Sequence, residues 1–539
     1  MSLVPLQHAA AQDHSPDQAS RSAEVNVAGE GSAVVSLLVT KLDEGALFYS
    51  NALTLVDKHH MNGVLKASQK EIAEVALQGI LQRAYADIDF KKHQDVAVSY
   101  RAGSNKKKID YFRIGSARFE MRSPSVELKS YADHCGYLKP SIVALEKEMG
   151  LDPHVLFEYG VGEVLERFYD PHTYLTVTRE RLKHPSSNLV EQDVEGQLIG
   201  SHNNIIHVAF PSFSSGISKK FKETIEGLMV KAKKADAKDI KLIVDFRGNG
   251  GGFLDEAVGC ADVLLKNGEG GEQGVIVRTG KTKESKSKYC TDIRYPGSLD
   301  IPPSSVVVLL DGRSASASEL VAGALRDWGA QVIGCESFGK GSMQGVYPLD
   351  SLGNFSSVSD LKSLSSKIDQ SVATLNITQG FFYSGSTGRS NQLSGVGLDV
   401  LVKFGDFRDY PSNQGEREVD SSNALVPPKG SARGDKDPLF VCQPRFGAGV
   451  TGVLSSSMVE RLPPYLVTRI QVTGVNGVTK EEAMFDAYLA AGMCHLEGGS
   501  PYMEERPYAQ PVVQYQPVVP MNSQFGQFYY PAPVPQFGN

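Results

Sequence analysis

A chain of 539 residues exceeds what one ordinary hydrophobic core holds, and its length predicts roughly two to four packed units. Hydrophobic residues at 41%, charged residues at 22% and a mean hydropathy of -0.22 match soluble globular proteins and exclude a wholly disordered chain. The formal charge of -7 and pI near 6.0 give no global basic field, which argues against nucleic acid or anionic lipid as the main partner.

Residues 1–31 are rich in Ala, Gln, Ser, Asp and Gly without apolar periodicity, and read as a disordered leader. They lack the basic and apolar regions of a secretory signal. Residues 32–190 read as a mainly helical N-terminal domain. Ser68 precedes Glu71 by three residues at a predicted helix start, and Tyr111–Ile114 is a short strand-like run. The domain closes on the turn-forming segment Asp170-Pro-His-Thr-Tyr-Leu175.

From 191 to 410 short apolar runs alternate with amphipathic segments. Strands are expected at Ile205–Phe210, Ile240–Phe246, Gly274–Arg278 and Ser305–Leu310, and helices over about 216–236, 253–266 and 316–328. That alternation predicts an α/β core with a largely parallel sheet. Further strands are expected at Gln370–Ile377 and Gly397–Val402. Residues 411–500 read as an accessory C-terminal region with helices near 455–470 and 479–493, and 501–539 as a disordered Pro/Tyr/Gln-rich tail. No run of about 18 apolar residues occurs, so no integral membrane segment is expected. Six dispersed cysteines form neither a C-x-x-C pair nor a Cys/His cluster, so no structural metal is expected, and most are read as buried thiols.

Three segments carry candidate chemistry. Asp245-Phe-Arg-Gly-Asn-Gly-Gly-Gly252 follows a buried strand and opens a helix, so its backbone N–H groups could hold an anion or a developing oxyanion. A tight turn requiring positive φ explains the glycines equally well. Asp311-Gly-Arg-Ser-Ala-Ser-Ala-Ser-Glu319 also joins a strand to a helix. Small residues flank Ser316, as a nucleophile on a sharp turn requires, although a Ser-rich helix cap reads the same. In Glu336-Ser-Phe-Gly-Lys-Gly-Ser-Met-Gln344 a lysine lies between two glycines, where burial would lower its pKa toward that of a usable base.

Taken together, in this order, these segments resemble the carboxyl-terminal processing peptidases, or tail-specific proteases, over residues 160–400, with a late element at Gly395-Val-Gly-Leu-Asp399. The resemblance implies a crotonase-like (ClpP/crotonase-type) βαβ protease core. It makes Ser316 the nucleophile, Lys340 the general base and Gln344 the residue that orients the lysine. It assigns the oxyanion hole to Ala317 with Gly251 or Gly252, gives supporting roles to Glu319 and Asp327, and makes His172 structural. The mechanism it implies requires no metal or cofactor; implied partners are protein or peptide substrates, a homo-oligomer is compatible, and relatives in bacteria are usually periplasmic or secreted. Three departures stand out: the thirty or so residues between Leu175 and Ile205 are too few for a PDZ domain, the interval from Ser316 to Lys340 is about one residue shorter than usual, in the stretch Gly329-Ala-Gln-Val332, and no proline precedes Asp399. A non-enzymatic scaffold and a crotonase-type acyl-CoA enzyme are the competing expectations, and the serine and lysine segments together fit neither.

Overall fold

The computed structural model describes residues 40–86, 98–102, 109–114, 117–120, 124–177, 193–265, 275–282, 287–290, 299–355, 361–402, 417–429, 438–444, 454, 459–473, 479–499 and 503–507, apart from Val64 and Ser125. The expected leader and the tail beyond 507 lie outside them.

Four helices lead: α1 (Lys41–His59), α2 (Gln69–Ala86), α3 (Tyr131–Met149) and α4 (Pro153–Phe168). Their starts follow from local chemistry. Ser68 Oγ accepts the Glu71 N–H at 3.2 Å, Ser130 and Asp133 form a reciprocal capping box, and Asp152 caps a helix whose first residue is Pro153. Between α2 and α3 lies an antiparallel sheet of β1 (Val98–Ala102), β2 (Ile109–Ile114) and β3 (Ala117–Glu120).

The next elements alternate. They are β4 (Tyr174–Val177), β5 (Glu195–Ile199), β6 (Ile205–Ala209), α5 (Ile217–Lys234), β7 (Lys241–Asp245), α6 (Leu254–Leu264), β8 (Val275–Gly280), β9 (Ser287–Cys290), β10 (Val306–Leu310), α7 (Ala317–Asp327), β11 (Gln331–Gly334) and β12 (Ser342–Leu349). There follow α8 (Leu361–Gln370), β13 (Ala373–Ser384), β14 (Val400–Val402), β15 (Phe440–Pro444), β16 (Val467–Thr473), β17 (Thr479–Phe485), α9 (Ala487–Glu497) and β18 (Met503–Pro507).

The central sheet has the order β18-β15-β14-β11-β10-β7-β6-β5. Its six inner strands run parallel, and β5 and β18 close its edges antiparallel. Side-chain alternation along β10 separates two cores: Val306, Val308 and Leu310 face α5, α6 and α7, while Val307 and Leu309 face α9. A strand covered on both faces reads as a continuous apolar run, which is why this one was legible. The second sheet, β12-β13-β8-β9 with β4 on β13, is antiparallel. Tyr347, Leu349, Ala373, Leu375 and Ile377 from β12 and β13 pack into one cluster with Phe48, Tyr49, Leu53 and Phe157 of the leading helices.

Three expectations are corrected. Residues 467–473 and 479–485 form the hairpin β16–β17, not helices, and the helix that follows is α9. Thr, Val and Ile in Val467–Thr473 suit a pleated strand, and their β-branched bias outweighed an ambiguous period. Residues 503–507, assigned to a disordered tail, form β18, paired with β15 over five residues from Phe440–Pro507 to Pro444–Met503. The segments read as accessory and as tail therefore supply one strand each, β15 and β18, to the central sheet.

Candidate active site

The two turns expected to carry chemistry lie side by side, because β7 and β10 are neighbouring parallel strands whose C-terminal ends both open into helices. Asp311 joins them. Its Oδ1 accepts N–H groups from Gly248, Arg313 and Ser314, each at 3.0 Å. The Asn249 carbonyl accepts the Ala315 N–H at 3.1 Å and the Ser318 hydroxyl at 2.8 Å. The approach is close enough to require glycine at 251: a Cβ there would stand 2.8 Å from Ser316 Cβ and 3.0 Å from Ala317 N, and φ is +100°.

Ser316 sits at the start of α7 with φ 57° and ψ -111°. Such backbone costs on the order of 1–3 kcal/mol in a non-glycine residue and persists only where its surroundings impose it. Ser316 is 1% exposed, and its Oγ has no hydrogen-bond partner among the described residues. The Ser316 hydroxyl makes no side-chain cap bond in this conformation, since a capping hydroxyl would hold an N–H of the first turn.

Glu319 is the constraint. It is fully buried, and its carboxylate takes Ser316 N–H (2.8 Å) and Lys340 N–H (2.8 Å) on Oε2, and Gly339 N–H and Ser337 Oγ–H (both 2.7 Å) on Oε1. Burial pushes its pKa up to about 7 against these four donors. One carboxylate thus ties the serine turn to the lysine loop. The late glycine element supports it, because Ser337 Oγ also accepts the Val396 N–H at 2.9 Å.

Lys340 lies in the loop between β11 and β12 and is 9% exposed. Its Nζ donates to Gln344 Oε1 at 2.6 Å and to the Ser342 carbonyl at 3.2 Å. Burial lowers its pKa to about 8, opposed by the carboxylates of Glu418, Asp170 and Glu319. At pH 7 about a tenth of the molecules then carry a neutral amine, several hundredfold more than at the ordinary value. No hydrogen bond joins Nζ to Ser316 Oγ in this conformation.

Of the residues expected at the site, the structure brings together Ser316, Lys340, Gln344, Glu319, Gly251 and Ala317. Gly252 adjoins them through a bridge to Phe213. The Gly251 N–H is donated to Asn249 Oδ1 at 3.0 Å, whereas the Ala317 N–H occupies the first helical position, where no intrahelical acceptor exists. Asp327 is not among them: it lies at the far end of α7, bonded to Ser384 and Ser386. Asp399 holds Arg326 and the Val332 N–H, and so pins α7 to β11.

Several residues at the site were not anticipated. Glu418, 1% exposed, accepts from His172 Nε2 at 2.6 Å and Gln392 Nε2 at 2.7 Å, and Gln392 Oε1 in turn accepts the N–H of Gly341 beside the lysine. Behind the glycine turn, Arg247 makes paired bonds to Asp245 and to Asp486 at 2.6–2.9 Å, with its guanidinium over the Tyr488 ring. Burial opposes the charge of Asp245, but Arg247 holds its carboxyl well below the usual range. Only the Asp-Pro-His segment offered a signal for His172; nothing in the sequence pointed to its partner 246 residues away. Among the described residues no group of three or more His, Cys, Asp or Glu could hold a metal ion, and no helix is long and apolar enough to cross a membrane.

Residues 204–396 match the model of peptidase family S41. That stretch includes Gly251, Ser316, Lys340 and Gln344, and leaves out His172 and Glu418. The chain is similar to the carboxy-terminal-processing protease of Bartonella bacilliformis, 32% identical over 181 residues that make up 33% of this chain and 35% of the relative. It is also similar to a probable CtpA-like serine protease of Staphylococcus epidermidis, 30% identical over 178 residues, 32% of this chain and 33% of that one. The chain thus spans about a third of the length of these curated relatives. Among solved structures, the chain is similar to a photosystem II D1 C-terminal processing protease, which aligns over 70% of this chain and 98% of its own at 16% identity with a TM-score of 0.33.

Proposed function

We propose that this chain, whose residues 204–396 carry the match to peptidase family S41, is a serine endopeptidase acting on protein or peptide substrates through Ser316 and Lys340. The observation that carries the reading is the hydrogen bonding of the buried lysine. A neutral amine has two hydrogens and one lone pair, and Gln344 Oε1 and the Ser342 carbonyl accept two hydrogens. What is left on the neutral amine is a lone pair, the property a general base needs. The nearby strained serine has an unengaged hydroxyl.

In the acylation step Lys340 Nζ takes the Ser316 proton as Oγ bonds to the scissile carbonyl carbon. The resulting ammonium then gives that proton to the departing amine as the C–N bond breaks. Water repeats the sequence on the acyl-enzyme and returns the serine. The Ala317 N–H serves the oxyanion directly; the Gly251 N–H joins it by exchanging Asn249 Oδ1 for the substrate oxygen. The proton transfer requires Ser316 Oγ and Lys340 Nζ to meet, a contact that this conformation does not make. The parallel strands with helices opening at their C-terminal ends support a crotonase-like βαβ core, against which the leading helices pack through β12 and β13.

The test compares the full chain with Ser316→Ala and Lys340→Arg on unfolded casein. Arginine stays protonated at any workable pH. Cleavage by the wild type alone is expected; equal cleavage by either variant refutes that residue's role, and no cleavage by any chain favours a non-enzymatic scaffold.

A further inference from the structure

The lysine and Gln344 are the near end of a longer buried chain of hydrogen bonds. Gln344 Nε2 donates to Thr378 Oγ1 and to Ser342 Oγ, both at 3.1 Å. Thr378 Oγ1 donates to Asp170 Oδ1 at 2.8 Å, and Asp170 Oδ2 faces His60 Nε2 at 3.0 Å. His60 Nδ1 accepts the Asn62 N–H at 3.2 Å, so the ring proton is on Nε2 and points at Asp170. Thr173 Oγ1 and the His172 N–H also donate to Asp170. Every member of the chain is buried, and the line crosses from the catalytic loop through β13 to the end of α1.

Proton counting fixes its direction. A carboxylate only accepts, so Thr378 must commit its single hydroxyl hydrogen to Asp170. Toward Gln344 the hydroxyl can then only accept, which requires the amide nitrogen on that side and leaves the amide oxygen facing Lys340. With the amide turned over, two oxygens without a shared proton would oppose each other at Thr378, and an N–H would face the amine and occupy its lone pair. Burial opposes the charge on Asp170, yet the bonds from His60, Thr173 and Thr378 win and hold its carboxyl below the usual value, so it remains an acceptor at working pH.

We propose that Asp170 and Thr378 are positioning residues for the base: the carboxylate, read through one hydroxyl, sets which end of the Gln344 amide meets Lys340, and His60 of the helical layer orients that carboxylate. The inference rests on the Ser316–Lys340 reading. It gives the Asp-Pro-His segment a role in the base as well as in joining the helices to the core.

The test uses Thr378→Val, near in shape but without the hydroxyl, and Thr378→Ser, which keeps it, in the full chain. The measurement is the rate at which a fluorophosphonate labels Ser316 as a function of pH, alongside casein cleavage. Thr378→Val should slow labelling about 10–100-fold, and Thr378→Ser should restore it to within about threefold. The charges facing Lys340 are Glu418, Asp170 and Glu319, with His172 also near; all are retained in both variants. A flipped amide disfavours the ammonium, so the acid limb should move to lower pH in Thr378→Val. In a Gln344→Ala background Thr378→Val should cost nothing further.

Equal rates for the Val and Ser variants, an unmoved acid limb, or an undiminished cost in the Gln344→Ala background would overturn the proposal. Labelling of Lys340→Ala at the wild-type rate would instead overturn the dyad reading beneath it.

Discussion

The two halves of the site are built on different length scales. The glycine turn after β7 and the serine turn before α7 are stabilised by short loops and by each other: Asp311 and Asn249 reach across 63–69 residues between adjacent strands. The lysine half is assembled from far apart. Lys340 reaches Glu319 over 21 residues, but Thr378 meets Asp170 over 208, His172 meets Glu418 over 246, and β13 lies between them. A nucleophile on a strained turn can be specified locally, because small residues and glycines set φ and ψ. A neutral buried lysine cannot: its pKa depends on desolvation and on carboxylates that only tertiary packing brings near.

The contrast is sharpened by four substitutions in order of effect. Ser316→Ala touches only the local half. It should lower casein turnover by about 10⁴-fold while leaving thermal stability within about 1 kcal/mol, since alanine keeps the bonds made by the backbone. Loss of stability comparable to the loss of activity would show that the halves are not separable. Arg247→Ala strands two buried carboxylates, Asp245 and Asp486, and should cost about 3–5 kcal/mol by denaturant unfolding. A cost under about 1 kcal/mol would mean that the C-terminal region does not hold the glycine turn.

Glu319→Gln tests the joint between the halves. An amide offers one acceptor where the carboxylate serves four donors, so about 2–3 kcal/mol of stability and at least about 100-fold in turnover should be lost together. Unimpaired activity would contradict its place as the tie. The smallest effect belongs to Glu418→Gln. Wild-type activity should rise with pH with a midpoint near 8, because the proposed mechanism runs on the neutral amine. Glu418 favours the ammonium, so removing its charge should lower that midpoint and raise the fraction of plateau rate reached at pH 7. A pH profile that does not move would exclude Glu418 as one of the charges felt by the lysine.

What could be read in the sequence follows the same division. Continuous apolar runs such as Val306–Leu310, followed by small-residue turns, identified the parallel strands and both motif-bearing turns, because burial on two faces and positive φ leave local signatures. The hairpin β16–β17 was misread as helix, since a short apolar run fits both periods and only pairing decides. Asp327 illustrates a limit of motif transfer: its place in the motif-bearing helix suggested the site, yet one turn after another carries it to the opposite end of α7, to Ser384 and Ser386.

The sequence by itself determined the order of the three segments, the strand-to-helix context of the glycine and serine turns, and the identity of Ser316, Lys340 and Gln344 as candidates. Tertiary structure decided the rest: that Glu319 ties the turn to the loop, that Glu418 and His172 stand beside the lysine, and that one hydroxyl, Thr378, links Gln344 to Asp170 on the helical side. The physical reason is that hydrogen-bond direction and desolvation are properties of a packed neighbourhood, and this one draws its members from residues 60 to 418.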